Sequence, residues 1–342
     1  AYAAHWGLIH RIARFFLRIP PALLQMEPGT LPASSSTSHG GGGGGGKPNR
    51  ICECALHLCL LLDCLTSPLS LEPVMSDALV TALKETNLAA IPTLLSSMLA
   101  SRRSIHGANN SSWMDDAPRE DVSMSASRLS LAATAIRTLN NVQLAAPSFA
   151  TDFLVVDEVN VQLWRWVCSS LLDAALFEIN EEGNNRSTEA YVLLHEVILL
   201  LGLAAASSRS FQASLALGGS ETVLQKLAAL PIQYFSDKRY VDILFPTLLV
   251  LIYDCERNLN VLQTEMSLDP LSRFVSECLD DATRHPDVKK GGKGSTNGIV
   301  ALNNNSNNGT DIGGTFDRYA VHFRCSLDQI KSQAKFLQSL VS

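Results

Sequence analysis

The chain has 342 residues, of which 46% are apolar, and its formal net charge at pH 7 is −6. This length fits one or two domains with a sizeable apolar core. An acidic balance argues against bulk electrostatic binding to nucleic acid, so any phosphate contact would require a local basic patch.

Residues 1–26 predict an amphipathic helix that the Pro-Pro pair after position 19 ends. Arg11, Arg14 and Arg18 lie at i, i+3 and i+7, so they share one face of that helix. A first solenoid helix with a solvated basic edge explains the pattern, and a face for phosphate or an anionic surface is the alternative. The chain opens AYAAHW without an initiator Met, so we expect a fragment that lacks its amino-terminal part.

Two low-complexity segments and one polar loop interrupt the apolar pattern. Residues 27–49 are a Ser/Gly-rich linker with seven consecutive glycines, and residues 285–315 are a Gly/Asn-rich insert. Neither has the apolar content to offset the entropy of ordering, so we expect both to be disordered. The seven glycines form no phosphate-binding loop, because no Gly-Lys-Ser or Gly-Lys-Thr follows them. Residues 102–124 predict a polar loop.

The segment 50–66 is rich in potential metal ligands, namely Cys52, Cys54, His57, Cys59 and Cys64. Their spacing, C-x-C-x4-C-x4-C, does not match the paired C-x2-C pattern of zinc sites. On one continuous helix these side chains point to several faces and cannot close a tetrahedron. We therefore expect core cysteines in a reducing compartment and no metal.

The region 191–274 contains one structural unit twice. Each copy begins with an apolar helix, predicted over 192–206 and 241–253, and continues with a second helix that carries an amide near its start. These amides are Gln212 and Asn260, 48 positions apart, which is close to the roughly 40–47 residues of HEAT and armadillo units.

The predicted fold class is all-α, an α-solenoid of HEAT/armadillo-like helical repeats with low-complexity inserts. The repeat domain extends over 50–284, with an earlier and looser copy in 125–177, and a capping helix lies in 316–342. The helix predicted over 192–206 is apolar nearly all round, so one unit cannot bury it, whereas stacked neighbours can.

Glycine, serine and proline predict where helices of this domain end and begin. Gly218 and Gly219 favour a helix end, and Ser220 is a good N-cap for the next helix. Pro246 falls inside the second apolar helix, where the loss of a hydrogen bond is expected to kink or split it.

No catalytic, cofactor-binding or metal-binding residue is predicted. His195 and Glu196 have the chemistry of a base and its orienting acid, but neighbouring helix positions diverge by about 100° and cannot act on each other. No Gly-x-Ser-x-Gly or His-Glu-x-x-His motif occurs. We expect no enzyme activity, no cofactor and no small-molecule substrate. No apolar run of about 18 uncharged residues predicts a transmembrane segment.

Three stretches, LLHEVILLLG, VLQKLAALPIQYFSDKRYVDILFPTLL and QTEMS, resemble the carboxy-terminal helical region of the SCAPER family, the S phase cyclin A-associated proteins in the endoplasmic reticulum. The resemblance is specific across 192–267 and moderate across 74–165. The poly-Gly and Asn-rich inserts depart from the family pattern.

This resemblance implies a non-catalytic adaptor with proteins as partners. These are cyclin A and its kinase, and a TPR-type adaptor beside which the family's helical tail docks on translating ribosomes in tubulin mRNA decay. Contact with ribosomal RNA phosphate is a further implication. The implied location is the cytoplasm, at the endoplasmic reticulum surface, with the nucleus as the alternative. The competing hypothesis is a peripheral helical-repeat protein on a membrane surface.

The linker between the two copies, residues 232–239, is the candidate docking surface. Ser236 is expected to cap the following helix, and Tyr234 or Phe235 is expected to pack inside. Lys238 and Arg239 would then be exposed beside backbone donors, where a phosphate or an acidic partner could bind. The simpler interpretation is a capped turn with two solvated cations. The full candidate set is Tyr234, Lys238, Arg239, Arg11, Arg14 and Arg18.

Overall fold

The computed structural model describes residues 55–60, 63, 91, 94, 95, 99, 124–145, 151, 154–181, 188–218, 221–284 and 327–341. Helix accounts for 86% of the described residues, and no strand occurs among them. The all-α prediction is therefore confirmed for this part of the chain. Arg11, Arg14, Arg18 and the two low-complexity segments lie outside the described residues.

Residues 55–60 are helical, and the later helices have defined bounds. In chain order they are α1 (Ala126–Ala145), α2 (Glu158–Glu181), α3 (Thr188–Ser207), α4 (Arg209–Ser214), α5 (Val223–Ala228), α6 (Gln233–Ser236), α7 (Lys238–Ile252), α8 (Glu256–Glu265), α9 (Asp269–Arg284) and α10 (Leu327–Val341).

The described residues fall into two compact units. The first holds those up to residue 154 together with 166–197, and the second holds 155–165 and those from 198 onward.

The first unit has an ion pair in its interior. Glu196 of α3 has no exposed side-chain surface, and its carboxylate accepts hydrogen bonds from Arg137 Nε at 3.0 Å and Asn140 Nδ2 at 2.9 Å. Arg137 Nη1 also lies 3.8 Å from Asp63 Oδ2, and Asn141 Nδ2 donates to the other oxygen of that carboxylate, Oδ1, at 2.9 Å. A buried carboxylate costs several kcal/mol unless it is paired. Helix α1 supplies the cation and an amide donor for the Glu196 carboxylate.

The second unit depends on amide side chains that bind backbone carbonyls at the end of α7. Gln212 Nε2 donates to the carbonyls of Val250 and Tyr253, each at 2.8 Å. Asn258 Nδ2 donates to the carbonyls of Leu251 at 2.7 Å and Gln212 at 2.9 Å. The last carbonyls of a helix lack their usual backbone donors, and these two amides supply side-chain donors at this end of α7.

The second amide was wrongly assigned from the sequence. Asn258 is fully buried, whereas Asn260, the residue predicted for this position, is exposed. The buried amide of α8 therefore lies 46 residues after Gln212.

Two details of helix punctuation also differ from expectation. Thr222, not Ser220, is the N-cap of α5, and it forms a reciprocal capping box with Gln225. Pro246 does not split its helix, because α7 continues from Lys238 to Ile252 across it. The next residue, Thr247, donates its hydroxyl to the Ile198 carbonyl of α3 at 2.9 Å.

Among the described residues, α3 is the one helix that is long and apolar enough to cross a membrane. Core helices of folded proteins meet the same criteria, and 72% of its most apolar window is buried inside the protein. Its one charged residue in the central turns, Glu196, is held by Arg137 as described above.

The carboxy-terminal helix α10 packs against α9, with Ile330 and Leu337 buried. This helix lies within the segment 316–342, and its capping role stays a prediction.

We predict that Arg137→Met lowers the free energy of unfolding by about 3–5 kcal/mol, since it leaves the buried carboxylate of Glu196 without its cation. Urea denaturation measures the loss. Arg257→Met is the control, because Arg257 is exposed and its replacement should stay within about 0.5 kcal/mol. Equal effects of the two substitutions would contradict the assigned role of the ion pair.

Asn258 and Asn260 provide a matched pair on one helix. Asn258→Ala should cost about 1–3 kcal/mol, because it removes two buried hydrogen bonds, one to the Leu251 carbonyl and one to the Gln212 carbonyl. Asn260→Ala should change stability by less than about 0.5 kcal/mol. Thermal and urea unfolding of the two variants decide the point, and a larger loss for Asn260→Ala would restore the original assignment.

Candidate docking surface

The linker between α5 and α7 contains the described part of the predicted docking surface. Its centre is α6, the single helical turn Gln233–Ser236, and Asp237 connects that turn directly to α7.

Tyr234 is buried, so it is not part of the candidate docking surface. Its side chain is 0% exposed, and its ring lies 5.0 Å from that of Tyr240. Phe235 is half-buried, with its ring 6.2 Å from that of Phe245. The expectation that at least one of the two linker aromatics packs inside is thus confirmed, but the buried one cannot contact a partner.

Asp237, not Ser236, is the N-cap of α7. Its carboxylate accepts from the backbone N–H of Arg239 at 3.0 Å, whereas Ser236 donates its hydroxyl back to the Ile232 carbonyl at 3.0 Å. Hydrogen bonds from the Arg239 side chain and backbone lower the pKa of Asp237. An anion arriving at this helix start would meet a carboxylate that already occupies a backbone donor.

Lys238 and Arg239 are exposed, with 72% and 69% of their side chains accessible, yet both are ion-paired. Lys238 Nζ lies 3.3 Å from Asp242, and Arg239 contacts both carboxylate oxygens of Asp237, at 2.7 and 3.2 Å. Exposed pairs of this kind contribute about 0–1 kcal/mol. An acidic partner can therefore replace them at little cost, although the linker itself is close to neutral.

A cleft of about 300 Å³ lies beside the linker, between α6, α7 and α9. Phe235, Phe245 and Phe274 line it, and the last two rings meet edge to face at 5.5 Å between centroids. Lys238, Arg273 and Glu277 are its charged lining residues.

The sequence pattern does not predict this cleft, and it does not mark Arg273, Phe274 or Glu277 as site residues. The available signal was the amphipathic pattern of α9, whose charged side lies next to Phe274 in sequence. That pattern does not show that α9 lies against the linker, since this follows only from tertiary packing.

The side chains of His195 and Glu196 do not converge on one site. Glu196 points to Arg137 and Asn140, while the His195 ring lies 6.4 Å from that of Tyr191. Burial lowers the pKa of His195 to about 4, so its imidazole is neutral at pH 7. This is the behaviour expected of a structural histidine.

Within the described residues, no group of three or more His, Cys, Asp or Glu side chains is placed to hold a metal. Of the predicted cysteine cluster, Cys59 is buried and forms no disulfide, and Cys52, Cys54 and Cys64 lie outside the described residues. The absence of metal at this cluster stays a prediction.

The described residues form helices with an aromatic-lined cleft beside a linker whose cations are exposed, and comparison with known proteins agrees with the family resemblance. Over 114 residues the chain is 36% identical to the S phase cyclin A-associated protein in the endoplasmic reticulum from Homo sapiens. The match covers 33% of this chain and 7% of the human protein. The resemblance predicted from the sequence is confirmed as a partial relationship. No family model matches the chain.

Proposed function

We propose that this chain is a non-catalytic helical-repeat scaffold, the docking region of a SCAPER-like adaptor. The observation that carries the proposal is the 36% identity over 114 residues to the human protein. An adaptor-type function follows from that resemblance alone. The all-helical structure of the described residues supports it.

The repeat architecture is part of this proposal. Two apolar helices, α3 and α7, are each followed by a short helix, α4 or α8, that carries a buried amide, Gln212 or Asn258. Each copy continues into a further helix, α5 or α9. A spacing of 46 residues between the amides lies in the range of HEAT and armadillo units.

The proposed partners are proteins, namely a TPR-type adaptor and cyclin A with its kinase, together with the translating ribosome in tubulin mRNA decay. The proposed location is the cytoplasm and the endoplasmic reticulum surface. In the human relative, association with cyclin A and the endoplasmic reticulum is what its name states. The proposal includes no enzyme activity and no cofactor.

Cosedimentation tests this function. The purified chain is mixed with ribosomes, with and without the TPR-type adaptor, and in parallel with anionic liposomes at increasing salt. Pelleting with ribosomes supports the docking scaffold. Pelleting with liposomes alone would replace it with the peripheral membrane hypothesis, and pelleting with neither would contradict both.

The linker is tested by Lys238→Glu with Arg239→Glu, which we expect to weaken ribosome binding about tenfold. Each exposed cation removed from a polyanion contact costs on the order of 1 kcal/mol, and a factor of ten is about 1.4 kcal/mol. The control is Lys331→Glu with Lys335→Glu on α10, which makes the same charge change at exposed positions. Circular dichroism confirms folding of both variants.

The two variants separate local docking from bulk charge. Equal losses in both would mean that net charge, rather than the linker, sets the affinity. Unchanged binding in the linker variant would exclude the linker as the contact and leave Arg11, Arg14 and Arg18 as the remaining predicted face.

A further inference from the structure

We infer that the cleft between α6, α7 and α9 binds an amphipathic helix of a partner protein through one apolar anchor and one acid–base pair. This inference rests on the proposed docking function and specifies the chemistry of the partner.

The aromatic lining supplies the anchor site. Phe245 and Phe274 are 2% and 5% exposed, so they form a fixed floor, while Phe235 is half-buried and has surface left to cover. The volume of about 300 Å³ admits a large side chain, not a folded segment. Aromatic and large aliphatic anchors in such sites contribute most of the binding energy of an interface.

Of the charged side chains that line the cleft, Lys238 is in an ion pair, whereas Arg273 and Glu277 are in none within the described residues. Lys238 is paired with Asp242 along α7. Arg273 and Glu277 of α9 are both exposed, and within the described residues neither forms an ion pair. They are four positions apart, so they lie on one side of α9 about one helical turn, roughly 6 Å, from each other.

The order of Arg273 and Glu277 along α9 disfavours an ion pair between them. In a helix, an acid placed four positions before a base pairs better than a base placed before an acid. Here Arg273 precedes Glu277. The cleft therefore presents one uncommitted cation and one uncommitted anion, one turn apart, next to the phenyl rings.

The complementary ligand has the same spacing with opposite charges. A partner helix whose apolar side chain enters the cleft brings residues one turn apart alongside α9. An acid opposite Arg273 and a base opposite Glu277 then form two interfacial pairs. Charge pairs of this kind determine register and partner choice more than affinity, so the order of acid and base in the partner is the specific signature of this site.

The probe is a phage-displayed library of 16-residue amphipathic helical peptides that carry one large apolar anchor with randomised flanking positions. The full chain is the bait, in parallel with the double variant Arg273→Glu with Glu277→Arg. That variant keeps composition, net charge and the aromatic floor, and it exchanges only the positions of the two charges.

We expect selected peptides to carry an acid and a base four positions apart, and the order of these two residues to invert in the parallel selection. Peptides chosen on the original chain should bind the exchanged variant at least tenfold more weakly by fluorescence anisotropy. They should bind Phe235→Ala at least tenfold more weakly as well, with folding checked by thermal denaturation. Arg273→Glu alone provides a second test that leaves the aromatic lining intact.

Selection of no peptide above the unselected library would overturn the inference, as would peptides that bind the exchanged variant equally well. Concentration-dependent dimerisation that the exchanged variant abolishes would also overturn it, because the occupant would then be a second copy of this chain. If the inference fails while the chain still cosediments with ribosomes, the proposed scaffold function stands without this cleft. If peptides are selected as expected but ribosome binding is absent, the cleft stands and the ribosomal proposal fails.

Discussion

The second unit depends on how the carboxy-terminal carbonyls of α7 are satisfied. The carbonyls of Val250 and Leu251 accept their side-chain hydrogen bonds in buried surroundings, where an unsatisfied backbone group would be costly. Gln212 and Asn258 donate these bonds from the helices on either side, and Asn258 also binds the Gln212 carbonyl. The amides thereby link α4, α7 and α8, and the aromatic cleft lies between α7 and the α9 that follows.

The turn after α7 shows how tightly this junction is constrained. Asp254 has a φ of 51°, a left-handed conformation that costs a non-glycine residue on the order of 1 kcal/mol or more. Arg209 holds it in place, since its guanidinium donates to the Tyr253 carbonyl at 2.6 Å and to the Asp254 carboxylate at 3.1 Å. The same guanidinium lies 5.3 Å from the centre of the Tyr253 ring. Arg209 of α4 thus contacts the residues that follow α7.

Helix positions and the apolar core followed from periodicity, because an apolar stripe at helical spacing has few other solutions. The assignments that failed were choices among adjacent residues of similar chemistry. Ser220 and Thr222 both favour a cap, as do Ser236 and Asp237, and the tertiary structure decides at which residue the helix begins. Asn258 and Asn260 pose the same problem, since only packing against α7 decides which amide is buried. The cleft escaped prediction because Phe235 and Glu277 come together only through the contact of α9 with α7.

The linker and the cleft share Phe235, Ser236 and Lys238, so a partner at one would contact the other. Their charges nevertheless lead to different kinds of recognition. The two cations of the linker pair with Asp237 and with Asp242 of α7, and exposed charges of this kind are screened beyond about 8 Å at physiological salt. The cleft combines phenyl rings, whose apolar contacts salt does not weaken, with Lys238, Arg273 and Glu277 in its lining. A chain with a net charge of −6 gains little from long-range attraction to a polyanion. Specific binding at this surface therefore depends on the fit of a side chain to the phenyl rings, with the charged pair determining its orientation.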